Sequence, residues 1–323
     1  MNDQATIGML DQFQTELVET WKRLPNKGFF LILLAAWLAL FQFLGNSILG
    51  YIHTRSLFSW MYEVYNSPNP AADDAHGDII PFLVVGILWW KRKELLALPL
   101  KTWWPGLLLV LLGTVLHILG YVTQEPQVSI VALFTGIYGL MGLAWGPQWL
   151  RRSFFPFFLF AFSVPLGDRA NLITFPLRLL VSQLVEAICH YVLSIDIIRV
   201  GNQLFAPSGA YQYEVAAPCS GIRSLIAIFL IATTYGFLTF RSLWKRLFFM
   251  VLSFPFAVLG NLARMLLIIV AAEMGGQKWG NFVHENTICS LIPYIPAITA
   301  FFLIGRWMEK RQERAGSRAA KQP

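Results

Sequence analysis

Charge is scarce in this chain. Asp, Glu, Lys and Arg make up only 13% of its 323 residues, while 56% are hydrophobic. A soluble globular domain carries roughly 25% charge, so this composition excludes that class. Cysteine is scarce too, and three of them (Cys189, Cys219, Cys289) are too few for a disulfide framework. The first 20 residues hold neither a basic n-region nor an apolar h-region, so no cleavable leader is expected. There is no Walker loop, no GxGxxG fingerprint and no G-x-S-x-G elbow. His284-Glu285 has no second histidine at Ile288, which rules out an HExxH zinc site. No metal or cofactor is expected.

What the chain has instead is a series of apolar runs, several of them about 20 residues long and sufficient to cross a ~30 Å hydrocarbon core. Its mean hydropathy is +0.55. The net charge of +7 does not point to nucleic acid, because the basic residues cluster in short loops between these runs. Lys22, Arg23 and Lys27 form one cluster, Lys91, Arg92, Lys93 and Lys101 another, and Arg151-Arg152 and Arg241, Lys245, Arg246 two more. With six in the tail from Arg306 to Lys321, these are eighteen of the 25 basic residues. By the positive-inside rule they mark the cytoplasmic face.

The runs predict an all-α polytopic membrane protein with about eight spans and both termini in the cytoplasm. Residues 1–28 read as a partly amphipathic cytoplasmic tail, 29–305 as the membrane domain and 306–323 as a basic cytoplasmic tail, disordered from about Arg314. The predicted spans are Phe29–Tyr51, Ile79–Trp90, Trp104–Thr123, Val128–Gly146, Phe154–Gly167, Ile222–Phe240, Leu247–Ala272 and Thr287–Gly305. Between the first two lies the loop His53–Asp78, with Asp73, Asp74 and Asp78 and the aromatic residues Trp60, Tyr62 and Tyr65.

Between the fifth and sixth spans, Asn171–Leu193 reads as an amphipathic helix. Asn171, Thr174, Arg178, Ser182, Glu186 and His190 recur at spacings of three and four and make one polar stripe. A span here would put Arg241–Arg246 outside, against the charge bias. The helix is therefore assigned to the outer interface, or partly sunk beside a polar cavity. Ile197–Phe205 and Ala210–Val215 then read as two strands of a hairpin around Ala206–Gly209.

Three residues stand out as chemistry. Cys219 follows Pro218 where the sixth span begins, and proline favours the first turn of a helix. Backbone N–H groups and the dipole at a helix N-terminus favour a thiolate. Arg264 lies inside the seventh span, about 25 Å up from Leu247 at ~1.5 Å per residue. A guanidinium there is costly and by default marks a function or a specific ion pair. His284 precedes the eighth span, at the level of the other two.

A thiolate, a fixed cation and a proton carrier at one depth suit nucleophilic acyl transfer. Each also has a plainer reading: an inert membrane cysteine, an arginine reaching for lipid headgroups, a polar loop histidine. Asn261 lies one turn below Arg264, and Arg223 one turn after Cys219; Ser220 and Glu285 adjoin the set. A disulfide between Cys189 and Cys219 is a rival reading for the thiols.

The run Ala217-Pro218-Cys219-Ser220-Gly221-Ile222-Arg223-Ser224-Leu225 resembles the cysteine motif of the exosortase/archaeosortase family of membrane transpeptidases. Asn261-Leu262-Ala263-Arg264 resembles its arginine motif, and His284 falls where bacterial members carry their third catalytic residue. Ala75-His76-Gly77-Asp78-Ile79-Ile80-Pro81-Phe82 is similar to the family's His-Gly entrance to its second span, which leaves His76 without an assigned role. The resemblance runs from about Trp60 to Arg306.

It implies an extracytoplasmic Cys219–Arg264–His284 site in a bacterial inner membrane. It also implies membrane-anchored protein substrates with a C-terminal tripartite signal of the PEP-CTERM type: a short Pro-Glu-Pro-like motif, one membrane helix and a basic cluster. Members are thought to cut there and pass the new carboxyl end to an acceptor, in bacteria that make exopolysaccharide. The bilayer is the remaining partner; no nucleic acid is expected. Two rival classes stay open. One is a membrane glycosyl- or acyltransferase using His284-Glu285, with Arg264 and Arg223 on a lipid phosphate, which leaves Cys219 idle. The other is a transporter or scaffold with Arg264 as a counter-charge.

Overall fold

The computed structural model describes residues 3–48, 54–67, 74–215 and 222–319; within them, the side chains at 3–10, 168, 170, 171, 173, 222–225, 287, 290 and 315–319 are not described. The chain folds into two compact units, Met1–Ser67 with Asp74–Pro165, and Pro68–Asp73 with Leu166–Pro323. Four described helical stretches are long and apolar enough to cross a membrane: Lys27–Leu44, Pro126–Trp145, Thr174–Leu193 and Leu243–Glu285. Shorter apolar helices occupy Ala75–Trp90, Gly106–Val122 and Ile226–Thr239. The protein is thus helical and membrane-adapted.

In the first unit, α1 (Asp3–Arg23) and α2 (Lys27–Leu44) are followed by α3 (Leu57–Tyr65), α4 (Ile80–Trp90), α5 (Arg92–Leu96), α6 (Gly106–Val122), α7 (Pro126–Trp145) and α8 (Pro147–Phe158). The central helix is α7, packed against α2, α3, α6 and α8. Its approach to α6 depends on small residues. A Cβ at Gly106 would stand 2.5 Å from the Leu143 amide nitrogen, and one at Gly139 would stand 2.8 Å from that of Val110. Close backbone packing of this kind replaces the hydrophobic effect, which lipid abolishes, as the glue between membrane helices.

Two expectations change here. The loop after the first span contains α3, whose Ser56 cap accepts from the Ser59 amide and whose Leu57, Trp60, Met61 and Tyr65 are buried. Arg151-Arg152, expected in a loop, lie inside α8, which starts at Pro147 because proline suits a first helical turn. The His-Gly segment has a packing reason. The Tyr65 ring lies where a Cβ of Gly77 would stand, and the Tyr65 hydroxyl donates to the Ser163 carbonyl.

In the second unit, α9 (Ala170–Ile188) continues through one π turn, Cys189–Leu193. Then come β1 (Ile198–Val200), β2 (Gln203–Phe205), β3 (Gln212–Glu214), α10 (Ile222–Thr239), α11 (Leu243–Glu285), α12 (Thr287–Leu291) and α13 (Tyr294–Ala319). α11 packs against α9, α10 and α13. Phe240, Phe249, Phe301 and Met308 bury one end of that contact.

The predicted hairpin becomes a three-stranded antiparallel sheet in the order β1-β2-β3. Its first strand, expected as Ile197–Phe205, folds back on itself at Gly201, whose φ of 64° glycine adopts at no steric cost.

The polar stripe on α9 is split. Thr174, Arg178 and Ser182 are buried, with Arg178 only 8% exposed and donating to the Thr174 hydroxyl. Farther along, Glu186 instead pairs with Arg199 of β1 at 2.6 Å, and His190 is exposed. The helix therefore turns part of its polar face inward rather than lying wholly on a surface. It also meets the length and hydropathy of a span. The tail differs too: α13 runs unbroken to Ala319, past Arg314.

Candidate functional site

The site is built on α11. This helix is 43 residues long, and at ~1.5 Å per residue it far exceeds a bilayer core. It is two segments joined at Gly275 (φ −137°, ψ 19°) and Gly276 (φ 70°, ψ −175°). The first segment is apolar and carries Asn261 and Arg264. The second, from Gln277 to Glu285, is more polar, follows the span expected at Leu247–Ala272 and carries His284.

Arg264 and His284 meet. One guanidinium Nη of Arg264 donates to the His284 carbonyl oxygen at 3.3 Å. That carbonyl belongs to the last turn of α11, where helical acceptors lack partners and a cation is favourable. The Arg264 Nε–H is buried and has no hydrogen-bond partner among the described residues. Both side chains are half-buried. Burial, reinforced by the Arg264 charge, lowers the pKa of the His284 imidazole, and exposed Glu285 opposes the shift. The ring is thereby biased to its neutral, proton-accepting form.

Asn261 is 1% exposed. It does not bond to Arg264. Its Oδ1 instead accepts from the Tyr294 hydroxyl at 3.5 Å, while its Nδ2 has no partner among the described residues. The Tyr294 ring lies against Gly260, where a Cβ would overlap it.

Cys219 and Ser220 lie outside the described residues, and Arg223 is on the first turn of α10 with its side chain not described. The flanks of Cys219 are described. On one side Val215 is fully buried, its amide bonded to the Asn202 carbonyl at 2.8 Å, in a cluster that includes Met265, Ile268 and Ile269 of α11. On the other, α10 starts at Ile222. Cys189 is a free thiol, fully buried in that same cluster. Among the described residues no three His, Cys, Asp or Glu side chains converge as metal ligands.

Sequence reasoning missed Tyr211, Tyr213 and Tyr294, all of which touch α11 or its neighbours. The i, i+2 spacing of Tyr211 and Tyr213 was the available signal. On a strand it turns both rings to one face, and here both are buried while Gln212 and Glu214 are exposed.

A family model described as transmembrane exosortase matches residues 69–287. That stretch holds the end of α11 with Arg264 and His284, and it also spans Cys219. No curated protein and no solved structure matches the chain.

Proposed function

The chain belongs to the transmembrane exosortase family, and from that premise we propose that it is a membrane-embedded cysteine transpeptidase acting on exported proteins with a C-terminal tripartite sorting signal. Cys219, Arg264 and His284 are its catalytic residues, on the extracytoplasmic side of an eight-span inner-membrane domain.

The observation that carries this reading is the state of Arg264: it is tethered to the His284 carbonyl, and its buried Nε–H has no partner among the described residues. A buried donor without an acceptor is rare in native proteins. One fixed beside a proton carrier is suited to an oxygen that becomes negative only during reaction. The described flank of Cys219 agrees. Three residues lie between it and Val215, a link that reaches at most about 14 Å, and Val215 shares a buried cluster with Met265, the neighbour of Arg264.

The chemistry proceeds in two steps. Neutral His284 takes the Cys219 thiol proton, and the thiolate attacks the scissile carbonyl carbon. A C–S bond forms, and the carbonyl electron pair moves to oxygen facing Arg264. The C–N bond then breaks, with His284 returning its proton to the leaving amine and a thioester remaining. An acceptor nucleophile, deprotonated by His284, attacks the thioester and expels the thiolate.

The test is mass spectrometry of a co-expressed tripartite-signal substrate. Cleavage at the signal, with added mass on the new carboxyl end, supports transfer. An uncut substrate beside the correctly inserted enzyme contradicts the proposal.

A further inference from the structure

The break at Gly275 and Gly276 lies between Arg264 and His284, so their contact requires that the second segment of α11 be held. Gly276, at φ 70° and ψ −175°, occupies a region open essentially to glycine alone. Two adjacent residues outside helical values interrupt the hydrogen-bond ladder and leave a hinge.

Two tyrosines straddle that hinge. Before it, the Tyr211 hydroxyl donates to Glu273 Oε2 at 3.0 Å. Burial and this carboxylate both raise the Tyr211 pKa, which keeps the hydroxyl a donor. After it, the Tyr213 hydroxyl lies 3.2 Å from the Gln277 carbonyl and 3.2 Å from Asn281 Oδ1. Gly280 makes room, since a Cβ there would overlap the Tyr213 hydroxyl. The two rings are 5.9 Å apart, and both sit in the cluster with Met265, Ile268, Ile269 and Ala272 of the first segment. Tyr213 lies on β3, with Tyr211 just before it and buried Val215 just after.

We infer that Tyr211 and Tyr213 clamp α11 across its Gly275–Gly276 hinge, and that Tyr213 is a positioning residue holding His284 against Arg264. The clamp rests on geometry alone; only its catalytic consequence rests on the proposed function.

The experiment uses the full chain in nanodiscs, comparing wild type with Tyr213→Phe after matching their thermal unfolding. Loss of one hydroxyl from two acceptors should speed hydrogen exchange of amides 277–286 about five- to tenfold, with 247–272 unchanged. The His284 ring resonances should shift. Unchanged exchange overturns the clamp, and an unmoved His284 ring overturns the positioning role.

With a tripartite-signal reporter, Tyr213→Phe should lower kcat roughly tenfold and leave KM within about twofold. Wild-type turnover alongside faster exchange also overturns the positioning role. A reporter left uncut by the wild-type protein contradicts the proposed function instead, and exchange and the His284 signal then decide this inference without it.

Discussion

Arg264 donates to the backbone of His284, not to its ring, and so ties two segments of α11 that a glycine break would otherwise leave free to separate. The guanidinium thus has two duties. It satisfies a helix-end carbonyl, and it sets a positive charge beside the imidazole. A lysine keeps the charge but loses the planar fork that fixes one N–H on the carbonyl and leaves a second N–H held in place.

Arg264→Lys should therefore lower turnover by about 10²–10³-fold, the magnitude typical of removing one oxyanion donor. Cys219→Ala should abolish processing in the same membranes. Both are read on a tripartite-signal reporter, with protein levels checked by immunoblot. Wild-type rates in Arg264→Lys would reduce Arg264 to a structural anchor.

The depressed pKa of His284 fixes the sign of two pH effects. Folding suppresses its protonation, so the unfolded chain binds more protons, and stability from this group is lost as pH falls below the ordinary histidine value of about 6.5. With neutral His284 as the base of the proposed mechanism, the acid limb of kcat/KM should lie below pH 6.5. Arg264→Gln removes the charge that assists the depression, and histidine NMR should then show the His284 pKa rising. A limb above 6.5 in the wild type would contradict this assignment.

The buried Nδ2 of Asn261 has no partner among the described residues, which costs stability and calls for a functional reason. Asn261→Leu fills a similar volume with no orphaned group. It should leave the unfolding temperature unchanged or higher while lowering turnover at least tenfold. Loss of stability with intact activity would mean that Asn261 serves only to hold Tyr294.

In the first unit, Gly77→Ala forces a methyl group into the Tyr65 ring. Overpacking of this kind costs about 1–3 kcal/mol, visible as a lower unfolding temperature. An unchanged value would show that Tyr65 can move aside despite its bond to Ser163.

Much of this architecture was legible in the apolar runs. The helix expected at Ile222–Phe240 is Ile222–Thr239, and that expected at Trp104–Thr123 is Gly106–Val122. The apolar spacing of these runs dictates the helices directly. What stayed hidden depends on tertiary partners. Nine residues from Leu57 to Tyr65 are too short to display a period, and α3 is recognisable as a helix through its cap and the core it enters. Thr174 and Arg178 fell on a stripe assigned to the outer interface or to the edge of a polar cavity, because spacing reveals a face but not what covers it. The level of Arg264 could be counted from Leu247, but its contact with His284 depends on a turn at Gly275–Gly276 that no periodicity announces. Asn261 lay on the expected face, yet its partner is a tyrosine 33 residues on.

The central claim is that Cys219 shares one site with Arg264 and His284. Cross-linking tests it most directly, in a chain with Cys189→Ala, Cys289→Ala and His284→Cys, which leaves Cys219 and the new thiol alone. Mild oxidation, or a short bifunctional thiol reagent, followed by mass spectrometry reads their proximity, since a disulfide needs Cα atoms within about 7 Å. The account predicts an intramolecular cross-link between positions 219 and 284, formed readily in intact membranes. Two freely alkylated thiols that no short reagent joins would contradict it.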